Sequence, residues 1–144
     1  MRKEPAIEFA LVKIFTEEFA TFEENFLFEK EVTNNFDFGF NINSEERLII
    51  WNFKLEDSCE GKLFLKGNFS FIFMISPTSW QGLVNENKII LPKNLLAHFT
   101  MLAVGTIRGI LFEKLSKYST PLSNYILPLI NVASTIEEDV EVQL

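Results

Sequence analysis

The chain has 144 residues, a formal charge of -7 from 13 basic and 20 acidic side chains, a single cysteine, and 16 phenylalanines beside two tryptophans and two tyrosines. That length makes one domain able to bury a core without staples, and the acidic balance argues against a partner gripped through phosphate contacts such as nucleic acid. Cys59 stands alone, which excludes an internal disulfide and a cysteine-based zinc cluster within one chain, and predicts a small half-buried hydrophobe in a reducing cytoplasm.

Arg2 and Lys3 precede a run broken by Glu8 and Lys13 before an apolar stretch builds up, so no signal peptide is expected. No window approaches the roughly 18 uninterrupted apolar residues of a membrane span. Ile7, Phe9 and Leu11 alternate with Glu8, Ala10 and Val12, which predicts a strand over about residues 6–15. After a charged stretch from Thr16 to Asn25, the decapeptide 34–43, NNFDFGFNIN, puts Phe36, Phe38, Phe40 and Ile42 on one face, and Phe36, Phe38 and Phe40 are assigned to the core. A turn at 43–46 leads into a third strand, RLIIWNFKLED, with Ile49, Trp51, Phe53 and Leu55 together. A hairpin at 58–61 leads into a fourth, KLFLKGNFSFIFMIS, with Leu63, Leu65, Phe69, Phe71, Phe73 and Ile75 together. Gly67 interrupts that face, as a bulge or a close backbone approach does. Consecutive strands with short turns predict an antiparallel meander.

The grammar changes at Ser76-Pro77. Residues 76–88 are rich in turn formers, and Trp80 is expected to dock this crossing segment. Pro92 suits the opening of a helix, and apolar positions from Leu95 to Leu115 recur at intervals of three and four, predicting a long helix that Pro121 stops. A shorter apolar segment with Pro128 inside follows. Residues 1–5 and the acidic end, 137–144, are expected to be mobile tails of a single 1–144 domain.

Nothing nominates a catalytic centre. His98 has no cysteine or carboxylate at ligand spacing and reads as a structural or surface histidine. The pairs Glu17-Glu18, Glu23-Glu24, Glu45-Glu46 and Glu137-Glu138 are solvated charge, because neighbours on a strand point to opposite faces. Residues 105–109, GTIRG, lie inside the helix without the strand and Gly-Lys ending of a phosphate loop. They read instead as a small-residue stripe, with Ala97 and Ala103, against which a second helix or the chain's own sheet can pack closely.

The order of elements, together with FALVKIFTEEFATFEEN, FLFEKEV, GNFSFIF, LPKNLLAHF, TIRGILF and YILPLINV, resembles SecB, the bacterial export chaperone, over about residues 7–136. The resemblance implies an α+β fold: an open four-stranded antiparallel sheet followed by a long helix and a short C-terminal helical segment. It implies a homotetramer, in which protomers pair through first strands and dimers stack through the long helices, with Ala103, Gly105 and Gly109 at or near that contact. It also implies a groove for unfolded or presecretory polypeptides, which maps here onto Phe26, Phe28, Phe69, Phe71 and Trp80. Val32 stands where the family usually has an aromatic residue. Glu18 and Glu23 match the acidic residues through which family members meet the translocase motor SecA, while the tail lacks the family's usual extension. The expected function is an ATP-independent cytoplasmic holdase with no cofactor, no metal and no catalytic residue. Alternatives are a SecB-like chaperone of a toxin-antitoxin pair, with an antitoxin as client, an apolar small-ligand binder, and a purely structural oligomer subunit.

Overall fold

The computed structural model describes residues 6–127 and 136–144. Four long strands, β1 (Phe9–Thr21), β2 (Val32–Asn43), β3 (Leu48–Cys59) and β4 (Lys62–Ile75), form an antiparallel sheet. A short helix α1 (Pro77–Leu83) leads through β5 (Val84–Asn85) and β6 (Lys88–Leu91) into the long helix α2 (Lys93–Leu115), and β7 (Val140–Gln143) ends the chain. The fold is α+β, a four-stranded antiparallel sheet and then a long helix, as the alternation and the 3.6-residue period predict.

The strand order is a correction. It runs β1-β4-β3-β2, so only β2, β3 and β4 form a meander, and β1 lies beyond β4. The connection at 22–31 is too long for a tight hairpin and is bonded to the start of β4: the Phe22 N–H donates to the Phe64 carbonyl and the Asn25 amide to the Leu63 carbonyl, each at 2.8 Å. Phe26 also packs there, 4.8 Å from the Phe64 ring. The two short turns close as the sequence requires, with Glu60 and Gly61 at φ 51° and 79°, the paired positive values of a two-residue hairpin.

Register explains which rings turn inward. Between the pairs Asp57–Leu65 and Ser58–Leu63, β4 carries one extra residue, so Phe64 and Leu65 are both buried. The bulge thus lies at Phe64, and Gly67 marks the close approach: a Cβ there would sit 2.6 Å from the Phe69 ring. Two further shifts in β1 skip Val12 and Glu17. On the inward face α2 lays Leu96, Phe99, Ala103, Ile107, Leu111 and Leu115, all buried. Phe99 stacks on Phe73 at 3.9 Å and meets Phe9 edge-on at 4.9 Å. By length and composition α2 is apolar enough to cross a membrane; its buried stripe packs on the sheet.

Three further expectations are revised. The crossing segment holds a helix: Ser76 caps α1 by accepting from the Ser79 N–H at 3.3 Å, and Pro77 opens it. Residues 137–144 are not a loose tail throughout, because β7 pairs with β6 from Leu91–Val140 to Lys88–Gln143. Of the C-terminal helical segment, Pro121–Asn124 forms a single 3-10 turn. The remainder, 128–135, and the other expected tail, 1–5, lie outside the described residues.

The stretch after α2 is fastened by hydroxyls. Tyr118 bonds Thr21, Thr120 donates to Glu23 at 3.0 Å, and Tyr125 donates to Asp57. Asp57 continues the inward face of β3 and is fully buried. With the Asn34 amide turned to satisfy both its ends, its nitrogen donates to Asp57 Oδ1 and to the Tyr125 hydroxyl, each at 2.9 Å. Burial pushes Asp57 from 3.8 up to about 6, against the smaller downward pull of the Tyr125 hydroxyl.

Two outcomes follow for stability. Since the folded value lies above the unfolded one, the contribution of Asp57 is fully present below pH 3.8 and is lost as pH rises through 6. Asp57→Asn removes that loss, so its unfolding free energy from urea titration, relative to wild type, should rise between these values and stand about 3 kcal/mol higher above pH 7 than below pH 3.8. A constant difference across pH would show that Asp57 does not titrate in this window. Trp80→Ala empties a buried site and should cost roughly 3–5 kcal/mol in the same titration.

Candidate functional site: an aromatic groove along β2

β2 is an edge strand, so its inward face has a neighbour on one side only. Phe36, Phe38 and Phe40 are therefore half-buried, and their exposed sides line a groove of about 490 Å³. Its floor is Trp51 of β3: Phe38 stacks on that indole at 5.1 Å and 8°, and Phe40 at 4.4 Å and 28°. Leu96 of α2 also lines it, and so does the C-terminal segment, with Ile136, Glu137, Glu138 and Val140. A second cavity of about 290 Å³ continues past Phe40 and Ile42, bounded by Val142, Gln143 and Leu144.

The groove is apolar in its floor and acidic at its rim. Glu137 and Glu138 are exposed carboxylates at the groove, Asp37 is exposed on the other face of β2, and among the described residues no basic residue lines the groove. The Trp51 Nε1 is buried with no hydrogen-bond partner among the described residues, at a desolvation cost of about 1–3 kcal/mol. Among the described residues no three His, Cys, Asp or Glu side chains assemble as a metal site. His98 is exposed, with Phe9 edge-on at 5.4 Å. The groove can supply flat, stackable area, edge electrostatics and a negative rim to an apolar, positively flanked ligand.

The residues expected to bind a client are dispersed. Phe69 and Phe71 are fully buried on the inward face of β4, and Trp80 is on the buried side of α1, so these three are core and present no surface for a polypeptide. Their positions on a central strand and on a helix, rather than an edge and a loop, are the reason. Phe26 is half-buried between Phe64 and Tyr125 and fastens the connection. Phe28, at 69% exposure, is open but does not line the groove. Phe36, Phe38 and Phe40, assigned to the core, take the place of these residues at the groove. Alternation identifies the face of a strand and is silent on whether the strand is central or at an edge.

Other expected sites divide in the same way. Glu18 pairs with Lys66 at 2.9 Å on the outer sheet face, and that bond raises the Lys66 pKa; Glu23 accepts from Thr120 and belongs to the fastening of the C-terminal stretch. Ala103 faces the sheet and is buried, which removes it from the proposed contact stripe. Gly105 and Gly109 are exposed, and a Cβ at either would meet nothing within 4 Å. They share their face with Met101 and Phe112, 64% and 65% exposed.

No family model matches the chain, and no curated protein matches it. Among solved structures, it is similar to the Mycobacterium tuberculosis Rv1957 SecB-like chaperone in complex with a ChAD peptide from the Rv1956 HigA1 antitoxin. The TM-score is 0.45 and the identity 12%, over 88% of this chain and 89% of that one, a superposition too loose to carry family or function across.

Proposed function

We propose that the protein is a holdase, binding extended non-native polypeptide segments in the groove along β2 without nucleotide or metal. The observation that carries this reading is the layer of half-exposed rings, Phe36, Phe38 and Phe40, stacked over Trp51 on an edge strand. Rings held in place by their neighbours accept many apolar side chains by area. Each client Leu, Val or Phe that is fully buried contributes about 1.5–3 kcal/mol. The rim carboxylates favour clients with Lys or Arg beside apolar residues. Presecretory chains or an antitoxin segment are the candidate clients, and a reducing cytoplasm suits buried, unpaired Cys59.

Self-association is part of the same proposal. Among the described residues β1 has no strand on its outer edge, with Leu11, Val12, Ile14 and Phe15 exposed, and α2 presents the exposed stripe of Met101, Gly105, Gly109 and Phe112. Two independent surfaces suit a dimer of dimers, in which several grooves act on one long client and multiply weak contacts. A second reading has one observation in its favour: the groove volume lies within the range of about 300–1,000 Å³ typical of small-molecule sites, so an apolar metabolite could occupy it.

A denatured slow-folding protein diluted with a stoichiometric amount of this chain should have its refolding arrested. Phe38→Ser combined with Phe40→Ser should weaken that arrest at least tenfold while far-UV circular dichroism stays unchanged; full arrest by a folded double variant would remove the groove from the mechanism. Phe112→Asp should halve the particle mass measured by light scattering. An unchanged mass would exclude the α2 stripe as a contact.

A further inference from the structure

Resting on the holdase reading, we propose that β7 holds the place of a client strand: an extended segment entering the groove displaces the tail and pairs along β6 in its stead. The docking surface is then a strand edge as well as an aromatic trough.

The tail already behaves as a bound peptide would. Val140 and Val142 alternate with Glu141 and Gln143, and the two valines pack half-buried against the core beside β6, whose Ile89 and Leu91 are fully buried. Its backbone pairs with β6 over four residues, from Leu91–Val140 to Lys88–Gln143. The same segment forms the wall of both cavities facing β2. Removing it would join the two cavities and leave the β6 backbone open to another strand.

What holds the tail, beyond its two half-buried valines, is replaceable by another strand. Lys88 pairs with Glu141 at 3.2 Å with the carboxylate side exposed, a bond worth under about 1 kcal/mol. Asp139 accepts from the Lys93 N–H at 2.8 Å, at the start of α2, and the Leu144 N–H reaches the Asn87 carbonyl at 2.8 Å. A short edge ladder of this kind is marginal by itself. Its charge also works against it, since Glu137, Glu138, Asp139 and Glu141 belong to a chain whose formal charge is -7. A segment with aliphatic or β-branched residues at alternate positions, as in the tail, and Lys or Arg where the tail has Glu137 and Glu138, recovers every backbone bond and is drawn to a chain of net charge -7.

The full chain carrying Lys88→Cys and Gln143→Cys, a facing pair in the ladder, tests the exchange. Cys59, buried, stays out of the reaction. The probe is a fluorescein-labelled peptide of alternating valine and lysine, read by anisotropy beside the refolding assay. Once oxidised, the locked tail should weaken the peptide at least tenfold, with recovery on reduction. Val142→Ser, which loosens the tail, should tighten it at least threefold. Equal affinity in the oxidised, reduced and Val142→Ser proteins, all binding the peptide and arresting refolding, would overturn the displacement and leave the holdase standing. No binding and no arrest by wild type, the reduced pair or Val142→Ser would overturn both.

Discussion

One helix cannot cover four strands. Neighbouring strands lie about 4.8 Å apart, so the sheet is roughly 15–19 Å across, whereas a helix with its side chains is about 10–12 Å thick. α2 seals the middle of the inward face, where Phe99 lies on Phe73. Among the described residues the face continues outward on both sides of that helix with incomplete cover. On the β2 side the remaining rings meet the C-terminal strand, and the gap between the two covers is the groove. On the β1 side Leu11 and Ile14, opposite Phe73 and Phe71 in the ladder, keep more than a third of their surface in solvent. The excess of phenylalanine follows the same geometry, because a sheet wider than its helix needs rings that tolerate a wet side.

Core and groove are not separate regions. Trp51 is a core residue by burial and the groove floor by position, with Phe38 and Phe40 on the indole. A ligand above these rings rests on side chains already fixed from below, so little rotamer freedom remains to be lost on binding. The Asp57, Asn34 and Tyr125 cluster does similar positioning work on the same two strands, tying the stretch after α2 to β2 and β3.

Much of the architecture was legible in the sequence, and the failures share a cause. Period-two runs located β2, β3 and β4, and the three- and four-residue recurrence located α2. Order was not legible, since nothing local states that β1 lies beside β4. Without order, edge and centre cannot be told apart, so Phe69 and Phe71 were exchanged with Phe36, Phe38 and Phe40. Two signals were present and outweighed. Ser76-Pro77 is a cap followed by a first-turn proline, hidden by the polar residues that follow. Val140 and Val142 alternate correctly for a strand, hidden by the charge around them. Asp57 sits in phase with Ile49, Trp51, Phe53 and Leu55, yet a carboxylate is read as solvated unless a buried partner such as Tyr125 is known.

Because β1 is the first strand and β4 the last of the four, their pairing spans most of the sheet's length in sequence. The hairpins β2–β3 and β3–β4 can close as soon as each is synthesised. β1 finds its first partner only after Leu65 has been made and completes its ladder only with Ile75, and must close a far longer loop to do so. The N-terminal strand therefore waits, with Leu11, Val12, Ile14 and Phe15 unpaired, while the rest of the sheet assembles. During its own synthesis the chain presents an apolar strand of the kind that invites mispairing, and the order of its strands fixes how long that interval lasts.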